Sequence, residues 1–98
     1  METRVSLENG VLTLAPSGKL NAVSCLELHD KMMTFMPQAE KLIFDFADVD
    51  YVTSAGLREL LIAYEEMSSK DGIAIRNVND EVMSALVMTG FDSYFEIE

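Results

Sequence analysis

Short β-like runs and helix-like stripes alternate along this chain. Arg4 to Leu7 alternates polar and apolar residues, and Val11-Leu12-Thr13-Leu14 does so again. Asn9-Gly10 stands between them. That pair is a strong hairpin signal, because a two-residue hairpin turn needs positive φ at both central positions. Pro16-Ser17-Gly18 closes or bends the second strand, and Lys19-Leu20 carries it to a boundary at Asn21. A helix is predicted next. Ser24-Cys25-Leu26-Glu27 has capping-box spacing, and Asn21 is an alternative cap one turn earlier. Its apolar stripe is expected to hold Ala22, Leu26, Met33 and Met36, with Cys25, His29 and Met32, and Pro37 ends it. Lys41–Phe46, "KLIFDF", is short, apolar and β-prone, the pattern of a buried central strand.

A second helix is predicted from Ala55 to Lys70. Leu57, Leu60, Leu61, Tyr64 and Met67 share one face, and Arg58, Glu59, Glu65 and Glu66 lie mostly opposite. Asp71-Gly72 stops it. Ile73 to Val78 is the next strand, and Asn79 is a good N-cap for a third helix, with Asp80 and Glu81 in its first turn. Val82 and Leu86, with Met83 and Val87, form its apolar face, and Gly90 caps its end. Phe91, Tyr94, Phe95 and Ile97 make an aromatic tail, a short strand or a helical turn packed on the core. The order is β-β-α-β-α-β-α with room for a last strand. Such alternation argues an α/β domain whose sheet is parallel in its later part. The loops after Leu20 and after Val52 then fall at the carboxyl end of the parallel strands, where open α/β sheets bind ligands and partners.

Composition narrows the function. The chain has 98 residues, 49% of them apolar, enough for one domain with one core. The formal net charge is −10, and the seven Lys and Arg are scattered. Nucleic acid and anionic membranes should repel such a chain, and a basic partner should attract it. Acidity for solubility alone is an equal reading. No apolar run is long enough to span a membrane, and the start lacks a signal-peptide stretch. One cysteine, Cys25, allows no internal disulfide, so the cytoplasm is the expected compartment.

Catalytic constellations are missing. His29 is the only histidine and reads as a boundary side chain of the first helix; one Cys and one His do not make a zinc site. Asp45, Asp48 and Asp50 sit around the third strand and its following loop without the rest of a calcium loop, so no metal and no cofactor is expected. Gly56 stands alone, not in a phosphate-binding loop. What remains is "YVTSAGLRELL", Tyr51 to Leu61, a junction with two adjacent hydroxyls. The plain reading of Ser54 is an N-cap that stabilises its helix by ~1 kcal/mol. The functional reading is a modification switch. A phosphate is tolerated beside the free N–H groups of a helix start, yet its added negative charge would expel a partner selected for the neutral hydroxyl.

The stretch "LIFDFADVDYVTSAGLRELL", Leu42 to Leu61, resembles the signature of STAS domains, the module of bacterial anti-sigma factor antagonists. Asp45, Val49, Tyr51, Ser54, Gly56, Leu57 and Leu60 carry the match. "PSGKLNA" resembles the family's Gly-x-Leu-Asp turn, and "VMTGFDSYFEI" its closing segment. The resemblance implies a single STAS-like domain over residues 1–98: an N-terminal hairpin, then alternating helices and strands. The sheet would be mixed, of about four to five strands, with helices mainly on one face. It implies a protein that is not an enzyme. It would bind an anti-sigma factor that is also an ATP-dependent serine kinase, release a sigma factor, and be switched off by phosphorylation of Ser54. Thr53 is a minor alternative phosphosite. The expected partner surface holds Asn21, Thr53, Ser54, Ala55, Gly56 and Arg58. Gly56 would let a partner's backbone approach, and Asn21 stands where the family often has Asp. A phosphatase could reset the switch, and the chain would be a monomer or weak dimer. The alternative is a constitutive, unphosphorylated subunit of a membrane transporter or other complex. A small enzyme or ligand-binding domain finds no supporting residues.

Overall fold

The computed structural model describes residues 3–98. Strands β1 (Thr3–Glu8) and β2 (Val11–Leu20) form the expected hairpin; Asn9 and Gly10 at its turn have φ of 52° and 80°. Then come α1 (Ser24–Phe35), β3 (Lys41–Asp45), β4 (Asp48–Val52), α2 (Ser54–Met67), β5 (Gly72–Arg76), α3 (Asp80–Thr89) and β6 (Glu96–Ile97). Short 3-10 turns at Met36–Gln38 and Phe91–Ser93 complete the chain. The sheet runs β1-β2-β3-β5-β6, antiparallel only at the hairpin. Register stacks the core in rows across three strands: Leu12, Leu42 and Ile73 form one, and Leu14, Phe44 and Ile75 the next. All six side chains are buried. Among the described residues no helix is long and apolar enough to cross a membrane.

Strand β4 is a correction: Asp48 to Asp50 was expected to be loop. It pairs in parallel with the second half of β2, Ser17–Leu20, whereas β3 takes the first half, Val11–Leu14. β2 can serve both because it is long and its pairing shifts at Gly18/Lys19. The register passes from Gly18–Val49 to Lys19–Tyr51, which leaves Asp50 as the extra residue of a bulge. Asn79 covers this irregularity, its side-chain amide donating to the Val49 and Asp50 carbonyls at 3.0 Å each. The same side chain caps α3, accepting from the Val82 N–H at 2.7 Å, and Gly90 ends that helix at φ 78°, both as expected.

The helices turn differently from expectation. In α1 the buried residues are Ser24, Cys25, Leu28 and Met32, while Leu26 is 73% exposed and Met33 46%. Its apolar residues spread over about half of the circumference, wider than the stripe that is buried, so periodicity alone does not choose which part of that arc faces inward. The capping box is not formed either. Glu27 instead accepts from the Thr3 N–H at 2.6 Å, and Asn21 is the cap, its Oδ1 taking the Val23 and Ser24 N–H groups at 3.0 Å each. In α2, Glu59 is buried although it belongs to the charged set, and Leu61 is exposed. α2 stops at Met67, short of Lys70, whose ammonium instead donates to the carbonyls of Met36 and Ala39. Tyr64 meets Tyr94 and Phe95, with ring centroids 5.1 and 5.9 Å away, so the aromatic tail closes over α2.

Leu28→Ala should cost about 2–5 kcal/mol and Leu26→Ala less than about 0.5 kcal/mol, measured by urea unfolding. Equal costs would contradict this rotation of α1. Asp45 offers a test by pH. Its carboxylate accepts from the Asn77 amide at 2.9 Å and the Ala47 N–H at 3.1 Å, and the Asn77 bond chiefly holds its pKa below the ordinary 3.8. A depressed folded-state pKa stabilises above the unfolded value and loses that contribution as pH falls through the folded one. The stability advantage over Asp45→Asn should therefore be full at neutral pH and disappear below the usual carboxylate range.

Candidate functional site

The site forms where β2 and β4 end side by side, Leu20 opposite Val52. Parallel pairing puts the following residues, Asn21 and Thr53, at one end of the sheet. Thr53 donates twice to the Leu20 carbonyl, from its N–H at 3.0 Å and from Oγ1 at 2.8 Å. This corrects the capping expectation. Thr53, not Ser54, is the N-cap residue of α2, and its hydroxyl does not cap but ties the helix start to β2. Ser54 is the first helical residue and is exposed; its hydroxyl has no partner among the described residues. The first helical bond is Leu57 N–H to the Thr53 carbonyl at 3.0 Å. The N–H groups of Ser54, Ala55 and Gly56 thus remain unpaired at the positive end of the helix.

Gly56, expected at the partner surface, is buried instead. A Cβ there would lie 2.6 Å from Val52 Cγ1, 3.0 Å from Leu20 Cβ and 3.1 Å from the Leu20 carbonyl oxygen. The missing side chain lets α2 settle onto the ends of β2 and β4, so glycine serves this contact rather than a partner's approach. Asn21 is half-buried and anchors the neighbouring loop. Its N–H donates to Ser24 Oγ at 2.9 Å, and Ser24 Oγ donates onward to the Lys19 carbonyl. Ala55 and Arg58 line a groove of 220 Å³ between α1 and α2, with Ala22, Cys25, Leu26, His29 and Glu59.

Sequence reasoning missed the pair in that groove. His29 Nδ1 lies 2.7 Å from Glu59 Oε1, joining α1 to α2 and giving the buried carboxylate its partner. Burial, and then the nearby Glu59, push the Cys25 thiol pKa up, so the cysteine stays protonated and inert. Asp48 pairs with Arg4 at 3.3 Å, Asp45 is occupied by Asn77, and no metal-binding group occurs among the described residues. The missed strand did have a short signal: "DVDY" alternates polar and apolar residues, but the bulge at Asp50 then breaks the period, so the buried Val49 and Val52 stand three residues apart.

The family model of the STAS domain matches residues 3–98. The chain belongs to the STAS domain family. No curated protein sequence matches it. Solved structures share its fold at low identity. An anti-sigma factor antagonist from Mycobacterium paratuberculosis is similar with a TM-score of 0.89 at 23% identity, over 98% of this chain and 83% of that one. The anti-sigma factor antagonist SpoIIAA in its unphosphorylated form gives 0.84 at 15%, over 99% and 88%. SpoIIAA, a Bacillus cell fate determinant, is also solved phosphorylated. The SulP transporter STAS domain from Vibrio cholerae gives 0.67 at 17%, over 90% and 70%. Among the described residues the mixed sheet has the expected five strands in one path, and β4 adds a sixth by pairing with β2.

Gly56→Ala tests the closeness of this STAS junction. The added methyl crowds a β-branched side chain and a backbone carbonyl, which outweighs the gain in helix propensity. The substitution should cost about 1–2 kcal/mol in thermal or urea unfolding. A stabilised variant would show that the junction has slack.

Proposed function

We propose that this STAS domain is an anti-sigma factor antagonist that acts by binding, not by catalysis. It engages an anti-sigma factor that is a serine kinase, so freeing a sigma factor, and phosphorylation of Ser54 ends the engagement. The observation that carries this reading is the state of the two hydroxyls at the start of α2. Thr53 Oγ1 is committed to the Leu20 carbonyl, whereas Ser54 Oγ is exposed and unbonded. A kinase therefore meets one free hydroxyl there, which favours Ser54 over Thr53 as the phosphosite. Likeness to SpoIIAA, solved in phosphorylated and unphosphorylated forms, supports the same reading.

The switch follows from electrostatics. Phosphoserine at the first helical position lies near the unpaired N–H groups of α2, so the domain tolerates it. At an interface it adds about −1.5 to −2 charges and three strongly hydrated oxygens. On a chain whose net charge is already −10, a surface selected for a neutral hydroxyl then repels its partner. The partner surface comprises Asn21, Ser54, Ala55 and Arg58, with Thr53 beside it; Gly56 contributes from beneath by seating α2. The cytoplasm is the compartment this role requires, and a phosphatase would restore binding.

The SulP likeness supports a second reading, a constitutive transporter subunit without phosphorylation. One experiment separates the two. The purified anti-sigma serine kinase of the same genome is incubated with the chain and ATP, and the product is read by peptide mass spectrometry. Phosphate is expected on Ser54 alone in the wild type and nowhere in Ser54→Ala. Ser54→Asp should keep the fold and weaken kinase binding at least about tenfold, or ~1.4 kcal/mol. Unchanged affinity, or phosphate elsewhere, would sink the switch. Co-purification with membrane transporter components and full function in Ser54→Ala would favour the second reading.

A further inference from the structure

Part of the apolar stripe expected to be core is on the surface, although Cys25, Met32 and Met36 of the same stripe are buried. Leu26 is 73% exposed and Met33 46%, and Val23, just before the first residue of α1, is 77% exposed; they follow one another at spacings of three and seven. Such spacing puts them on one face. Leu26 also lines the groove whose far wall is Ala55 and Arg58, the residues next to Ser54 on α2. The apolar face is thus continuous with the start of α2. Asp30 sits inside it, four residues after Leu26 and three before Met33, so all three side chains are neighbours. The Asp30 carboxylate is exposed and makes no ion pair or hydrogen bond among the described residues.

We infer that this face of α1 is the second half of the interface that reads Ser54, and that its occupant is a basic amphipathic helix of the same anti-sigma kinase. The inference rests on the proposed function and adds to it where, and with what chemistry, the partner docks. Covering Leu26 and Met33 strips water from Asp30 lying between them. A carboxylate buried without a cation is costly; Arg4 and Lys31 line a cleft beside Asp30, but Arg4 pairs with Asp48 and neither is in ion-pair contact with Asp30, so a lysine or arginine on the covering surface is favoured at that point. A chain of net charge −10 also steers a basic partner toward itself. From Val23 to Met33 the stripe is about 15 Å long at 1.5 Å per residue, the length of roughly three turns of a partner helix. A helix laid along α1 would drop a side chain into the groove beside Ala55. Apolar contact along α1 supplies affinity, and the neutral hydroxyl at Ser54 grants or refuses it.

The test is calorimetric titration of the purified anti-sigma serine kinase of the same genome with the wild type, Leu26→Lys/Met33→Lys, Asp30→Lys, Met88→Lys and Ser54→Asp. All the lysine substitutions fall on exposed side chains, so circular dichroism and melting should match the wild type. The double variant should bind at least about tenfold more weakly. Asp30→Lys should weaken binding about three- to tenfold and flatten its salt dependence. Met88→Lys, which alters an exposed apolar residue of α3, should bind as the wild type does. If the double variant and Asp30→Lys keep wild-type affinity while Ser54→Asp loses it, this inference is overturned and the Ser54 reading stands. A wild type that fails to bind the kinase overturns both. A wild-type dimer that the double variant splits, with kinase affinity unchanged, assigns the face to a second copy and overturns the inference.

Discussion

Two hydrogen bonds onto one carbonyl hold the candidate site of this domain together. The Thr53 N–H and hydroxyl both reach the Leu20 oxygen, so the end of β4 and the start of α2 are tied to the end of β2. That contact requires α2 to lie close, and Gly56 is what allows it, since a Cβ would press on Leu20 and Val52. The position of Ser54 is a consequence. It is the first residue past the tie, at the first position of a helix whose direction the tie sets.

The same junction explains the division of labour among residues that look alike in the chain. Thr53 and Ser54 both carry hydroxyls, but one is used inside the structure and the other faces out. Asn21 and Ser24 are both polar residues near a helix start. They bond each other and the Lys19 carbonyl of β2, and so hold the loop beside Ser54 in place. His29 and Glu59 lock α1 against α2 at the base of the groove. A surface built on such fixed neighbours presents a free hydroxyl in a constant setting, which a binding switch needs if one added phosphate is to decide the outcome.

Features governed by a few adjacent residues were legible in the chain. Asn9-Gly10 makes its hairpin, Asn79 and Gly90 cap α3, and Lys41–Asp45 is a central strand. Each is a local matter, of φ preference, a side chain within reach of its own backbone, or apolar residues without a polar face. β4 was missed because its partner is the far half of β2, about thirty residues away, and because the bulge at Asp50 interrupts its pairing. Of the candidate site, the place was legible, because two strand ends and the helix starts after them mark it in the chain. Asn21, Ser54, Ala55 and Arg58 gather at one end, but Gly56 turned inward and Thr53 took the N-cap position expected of Ser54.

By itself the sequence determined the order of elements through the hairpin, the central strand and the three helices, the acidic charge, and the junction at which a free hydroxyl could stand. These depend on dihedral preference, capping and composition, which act within a turn or so of chain. Only the tertiary structure decided which side of α1 faces the core, that Glu59 is buried against His29, and which of two adjacent hydroxyls is free. Those outcomes are set by what lies opposite. A helix whose apolar arc is wider than the strip it can bury turns inward the part of that arc that packs best on the strands beneath it. A hydroxyl is occupied or free according to a carbonyl thirty-three residues away in the chain.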